Sequence, residues 1–292
     1  MTSNLIYATI LLLVSSTTVV FGQSSECEEL LPDGSTAYHA CFSEPLSLIS
    51  SARGFYNLSV EPENSTCGDP SLLYCTLTVP KECKYCDSNS TTDSHPPANI
   101  VDQSGSATWW QSITWPKPSF PNAPEITITL SFGKTYELTD DLGILFKSGR
   151  PQNMILEKST DNGATWSVLQ YYARDCTQYY NIGAGLETDI TMANPAKVIC
   201  SESYSGQLPR SGGTVTFSVT ESRYKLFLGP AYSDYQSLFS AFENTQLDEY
   251  MTFTDLRIKL LYPATDGKEV FGSYIDFLHY YYAISNIGVT VR

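Results

Sequence analysis

Apolar and polar side chains alternate along much of this chain with a period of two, and that pattern restricts it to strands. Ile126, Ile128, Leu130 and Phe132 alternate with Thr127, Thr129 and Ser131, and Leu142, Ile144 and Phe146 follow the Asp140-Asp141 pair. Val215, Phe217 and Val219 repeat the pattern, as do Leu256, Ile258 and Leu260 against Arg257 and Lys259. Successive side chains of a strand point to opposite faces, so each run buries one face and wets the other, as in an antiparallel sandwich. Twenty tyrosines and thirteen phenylalanines supply the large side chains that such sheets favour. One stretch departs from this: Tyr235, Leu238, Phe239 and Phe242 fall at helical spacing behind Ser233, with Gln236 as a capping-box partner. The expected fold class is all-β, a sandwich with one short helix laid against or beside it.

The compartment follows from the first residues and the cysteines. Residues 1–22 carry no charged side chain, run apolar from Leu5 to Val14, and end in Val20-Phe21-Gly22, the pattern of a cleaved signal peptide. The eight cysteines, Cys27, Cys41, Cys67, Cys75, Cys83, Cys86, Cys176 and Cys200, all lie beyond it, and an even count in a secreted chain favours disulfides over a zinc site. Three glycosylation sequons begin at Asn57, Asn64 and Asn89. No later hydrophobic run is long and uncharged enough to cross a bilayer, so a secreted, soluble product is expected. A formal charge of -14 disfavours nucleic acid and anionic lipid as partners. The reading is a single domain over 23–292, cysteine-rich and loop-like over 23–115 and regular sandwich over 116–292.

The segment from His95 to Ser112 interleaves oxygen-bearing side chains, Pro96-Pro97, Gly105 and a Trp109-Trp110 pair. The prolines withhold backbone donors and the Gly105-Ser106 pair invites a turn, so regular structure does not order it. A bound cation together with disulfides is the expected source of order. In a strand, Trp109 and Trp110 would point to opposite faces, one into the core and one over an edge or loop.

Catalytic motifs are missing. His39, His95 and His279 show no H-E-x-x-H spacing, and no G-x-S-x-G elbow occurs. Ser159-Thr160-Asp161-Asn162-Gly163-Ala164-Thr165-Trp166 matches the Asp box of sialidases, but it describes a hairpin. Asp161 bonds amides across the turn, Gly163 takes a positive φ, and Trp166 packs beneath. A propeller enzyme would repeat it on several blades, and this chain has one copy. The Asp140-Asp141 pair reads as a solvated turn. No enzymatic activity is expected.

Read in order, other segments form a series. It runs through Ser65-Thr66-Cys67-Gly68-Asp69-Pro70, Tyr74-Cys75, Cys83-x-x-Cys86-Asp87, His95-Pro96-Pro97, Val101-Asp102 and Thr108-Trp109-Trp110-Gln111-Ser112. It continues through Gly149-Arg150-Pro151, Met154 to Ser159, Gln170 to Cys176, Thr254 to Ile258 and Tyr280-Tyr281-Tyr282-Ala283-Ile284-Ser285-Asn286. This series resembles the laminin N-terminal (LN) domain of laminins and netrins, from about Cys41 to Arg292. The Trp-Trp pair is more like laminin chains, while the closing Tyr-Tyr-Tyr-Ala-Ile-Ser leans toward laminin γ or netrin types.

The resemblance implies a jelly-roll, galactose-binding-like β-sandwich with a structural calcium ion. Its site maps here to the backbone carbonyl of Asn99, the Asp102 carboxylate, the Thr108 oxygen and an oxygen of Ser285. Asn99 stands where the family usually has an aromatic or aliphatic residue, and Asn286 replaces a common aspartate. Cys27 with Cys41 and Cys176 with Cys200 would each close a short loop, while Cys67, Cys75, Cys83 and Cys86 allow three connectivities. The implied role is non-catalytic: calcium-supported protein–protein contact in the basement membrane, in adhesion or in guidance. Partners would be other laminin- or netrin-type short-arm domains or cell-surface receptors. A secreted carbohydrate-binding jelly roll is the alternative. The family continues into EGF-like repeats whereas this sequence stops at Arg292, which fits either a piece of a longer chain or a stand-alone domain.

Overall fold

The computed structural model describes residues 26–30, 35–40, 46–47, 56–76, 82–102, 104–116, 122–205, 212–227, 245–265 and 277–292. The leader at 1–22, the Cys27–Cys41 pairing and the helix expected from Ser233 to Phe242 lie outside the described residues. The chain divides into two compact units, 1–44 and 45–292. In the first, β1 (Glu26–Leu30) and β2 (Thr36–Ala40) form an antiparallel hairpin that sets Glu26 opposite Ala40 and Leu30 opposite Thr36.

The second unit is a jelly-roll β-sandwich. Its strands are β3 (Leu46–Ser47), β4 (Asn57–Glu61), β5 (Leu72–Cys75), β6 (Cys83–Cys86), β7 (Trp110–Gln111), β8 (Ile126–Glu137), β9 (Leu142–Phe146), β10 (Asn153–Ser159), β11 (Ser167–Ala173), β12 (Cys200–Ser201), β13 (Gly213–Phe217), β14 (Thr252–Tyr262), β15 (Ala283–Gly288) and β16 (Thr290–Val291). One sheet has the order β12-β11-β10-β14-β8-β4 and the other β13-β9-β15-β7. Pairs β5-β6 and β3-β16 stand apart as short ribbons. The segment before residue 116, expected as stapled loop, thus lends β4 to one sheet and β7 to the other.

The period-two runs point where the sequence placed them. Ile126, Ile128, Leu130 and Phe132 of β8 are buried while Thr127, Thr129 and Ser131 are half-buried on the other face. Leu256, Ile258 and Leu260 of β14 join them, and Leu142, Ile144, Phe146, Val215 and Phe217 face them from the second sheet in one continuous core. Fully burying each such side chain contributes roughly 1.5–3 kcal/mol, which makes this layer the main source of stability.

Two helices carried no periodic signal in the sequence. Helix α1 (Cys176–Tyr180) is one turn, capped by Asp175, whose carboxylate accepts the Gln178 amide at 2.8 Å. Helix α2 (Thr245–Met251) buries Leu247, Tyr250 and Met251. The Lys158 ammonium reaches from β10 to the carbonyls of Glu249 and Thr252 at the end of α2, where a cation offsets the helix's orphan acceptors.

Among the described residues, three disulfides staple the periphery. Cys176–Cys200 pairs as expected, and the open set resolves as Cys67–Cys86 and Cys75–Cys83. Cys67 and Cys86 pack with Tyr74, Tyr281 and Ala283 in a small second core at the start of β15.

Candidate metal centre and contact surface

The His95 to Ser112 segment is built around Trp110. Its ring is fully buried in the main core and its indole N–H donates to Thr66 Oγ1 at 2.9 Å. Trp109, one residue before β7, is half-buried and packs against the small second core instead. The His95 imidazole stacks on it at 4.1 Å between centroids, and Lys147 Nζ lies 4.9 Å from its ring centre. His95 is 5% exposed. Desolvation lowers its pKa to about 4, with Asp93 pulling weakly the other way, so the ring is neutral at physiological pH.

The four assigned ligands fall on two elements. Asn99 sits in a 3-10 turn, Pro97–Ile100, that packs against β15, the strand of Ser285. Thr108 Oγ1 donates to Asp102 Oδ2 at 2.5 Å, and Asp102 Oδ1 accepts the Ser104 amide at 2.8 Å, which closes an Asx turn. Ser285 occupies an irregularity in the β15-β9 ladder, where Ile284 pairs with Phe146 and Asn286 with the adjacent Leu145. It is fully buried, yet its Oγ has no hydrogen-bond partner. A bulge re-aims a side chain, and an orphaned buried hydroxyl is the observation that makes the residue interesting.

These donors are all oxygens, the chemistry that hard cations such as calcium take. Among the described residues no group of three or more His, Cys, Asp or Glu converges. The set therefore brings one carboxylate plus neutral oxygens, which fits calcium in kind. The Asn99 side chain does not point inward as a ligand, because its Nδ2 donates to the Trp109 carbonyl at 3.0 Å.

The Asp-box hairpin between β10 and β11 is a folding device. Asp161 accepts the Thr165 amide at 2.8 Å and hydroxyl at 2.6 Å, while Ser159 Oγ receives the Gly163 amide at 2.9 Å. Asn162 and Gly163 take φ of 57° and 83°. Trp166 donates to the Gly163 carbonyl at 3.1 Å and is covered by Arg257, 4.0 Å from its ring, which in turn pairs with Glu157. Asp141 is more than a solvated turn, since its Oδ1 accepts the amides of Val219 and Thr220 and so ties the start of β9 to the end of β13. His279 is buried with Nδ1 near the carbonyls of Cys75 and Thr76.

A different kind of surface lies on the Cys176–Cys200 loop. Among the described residues, five large hydrophobic side chains are exposed, and four of them, Ile182, Leu186, Met192 and Val198, lie on this loop. It is braced from within. Asp189 Oδ2 accepts the Leu186 amide, Asn194 Oδ1 accepts the Thr191 amide, and the Gly185 amide donates to the Cys200 carbonyl. Beneath it the guanidinium of Arg223, fully buried, donates to the carbonyls of Pro195 and Lys197. The sequence singled out neither Arg223 nor this surface, because an isolated arginine and scattered apolar residues in a loop carry no period. The three sequon asparagines, Asn57, Asn64 and Asn89, are exposed.

A single β-sandwich with these peripheral disulfides is the setting in which the comparisons place the chain, among laminin and netrin N-terminal domains. The family described as Laminin N-terminal (Domain VI) matches residues 55–291, and the chain belongs to it. It is 38% identical over 264 residues to Netrin-G2 of Mus musculus, covering 87% of this chain and 43% of that protein. It is 35% identical over 280 residues to Netrin-G1 of Mus musculus, covering 94% and 50%. To laminin subunit gamma-1 of Homo sapiens it is 32% identical over 245 residues, covering 81% of this chain and 14% of that one. The chain thus spans half or less of the length of these relatives.

Proposed function

We propose that this chain is a secreted extracellular-matrix recognition module that binds another protein, with calcium as a structural staple. The partner is a laminin- or netrin-type short-arm domain or a cell-surface receptor, and the setting is the basement membrane or a contact between cells. The concentration of exposed Ile182, Leu186, Met192 and Val198 on one braced, disulfide-closed loop carries the recognition reading. Rigid apolar side chains in water favour association, since little ordering entropy remains to be lost on binding. The orphaned Ser285 hydroxyl and the Asp102–Thr108 pair support the calcium part.

The test is surface plasmon resonance of the immobilised protein against laminin short-arm tip domains, with calcium and with chelator. Saturable association that falls in chelator, and falls at least about tenfold in L186S and M192S, is the expected result. Binding on a glycan array with no protein association would replace this reading with the carbohydrate-binding one.

A further inference from the structure

We propose that Asn99 and Lys147 are positioning residues that hold the calcium loop closed before the ion arrives. This rests on the calcium reading above and goes beyond its ligand set, because neither side chain is assigned to the ion.

The loop leaves the 3-10 turn at Asn99, carries Asp102 and Thr108, and returns at Trp109. Asn99 Nδ2 donates to the Trp109 carbonyl at 3.0 Å, so one amide side chain bridges the loop's two feet. An aliphatic or aromatic residue at this position has no such donor. Lys147 works at the other end. Its Nζ donates to the Ser106 carbonyl at 2.9 Å, at the tip, and lies over the Trp109 ring. Its backbone amide donates to the Ala283 carbonyl at 2.9 Å, two residues before Ser285. Lys147 therefore ties the loop bearing Asp102 and Thr108 to the strand bearing Ser285. Within the loop, Ser104 bonds the Asp102 carboxylate, the Ala107 amide donates to the Ser104 carbonyl at 3.1 Å, and Gly105 takes the left-handed φ of 61° that the reversal needs.

The physical consequence is preorganisation. A site populated in its competent shape only a fraction of the time has its apparent dissociation constant raised by the inverse of that fraction. Losing one net hydrogen bond of ordinary strength, about 1 kcal/mol, lowers the closing equilibrium constant about fivefold. Asn99→Leu removes the bridge but keeps the backbone carbonyl, so calcium affinity falls, by about fivefold at most. Lys147→Met has two opposed effects on affinity, since it loosens the tip and also removes a positive charge from the neighbourhood of a cation. Loop order rather than affinity therefore decides its role. Lys147 is exposed, so this variant folds.

The experiment is amide hydrogen exchange on the whole chain in chelator and in excess calcium, alongside calorimetric titration with calcium chloride. In chelator, the amides of Ser104 and Ala107 are protected in the parent chain and exchange about fivefold faster in Asn99→Leu and in Lys147→Met. Calcium restores protection in both variants. Equal protection in parent and variants, or a parent loop that becomes protected only with calcium, overturns the proposal. A parent chain that takes up no calcium in the titration refutes the calcium reading instead, and the exchange comparison in chelator still judges the clamp.

Discussion

His95 is the residue whose surroundings have the plainest solution consequence. Its ordinary pKa of 6.5 falls to about 4 in the fold, so between those values the unfolded chain binds a proton that the folded chain refuses. The stability it contributes is intact above pH 6.5 and is lost as pH drops through that window, by about 3 kcal/mol in all. Urea unfolding compared at about pH 7 and about pH 4.5 should show this loss in the parent and a smaller one in His95→Phe. Asp161 acts in a separate, lower window. The Thr165 hydroxyl, then its amide and the Ser159 hydroxyl, hold the Asp161 carboxyl at about 2, so what it contributes persists until pH falls below the ordinary 3.8. In the same hairpin, Gly163 holds a φ of 83° that a Cβ resists. Gly163→Ala costs about 1–2 kcal/mol, read as a lower urea midpoint with an unchanged slope.

At the level of elements, legibility followed local repetition. Strands β8, β9, β13 and β14 were readable because their burial alternates along the chain, and the Asp-box hairpin because each of its residues has a local job. Helix α1 escaped because one turn shows no period, and α2 because its seven residues are held by the distant Lys158 ammonium. The candidate metal site came from family resemblance. Spacing could suggest that Asp102 and Thr108 share a loop, but nothing local relates Ser285 to them. The Cys67–Cys86 and Cys75–Cys83 choice was likewise a matter of tertiary packing. The Cys176–Cys200 loop shows the same dependence from beneath. Arg223→Met leaves the Pro195 and Lys197 carbonyls without their donor, at about 1–3 kcal/mol for each buried group stranded. Limited proteolysis should then cut between residues 182 and 198 sooner than in the parent, while the sandwich core stays intact.

For the molecule as a whole, the calcium reading predicts a linkage. An ion that binds only the folded state at about a hundred times its dissociation constant adds about 2.7 kcal/mol, so a thermal scan in calcium should melt roughly 5 °C or more above one in chelator. Coincident melts would remove calcium from the account and leave the recognition surface untouched. The sheet orders carry one more consequence, concerning time. Strand β14 lies between β10 and β8, and β15 between β9 and β7, so an interior strand of each sheet is drawn from beyond residue 250. A ribosome that has made the first 250 residues has released apolar strands with no sheet to close around them. Both layers are completed only once β14 and β15 have emerged, through contacts of long sequence separation that form slowly. A chain broken off before β15 is therefore a substrate for chaperones and quality control, not a smaller working domain.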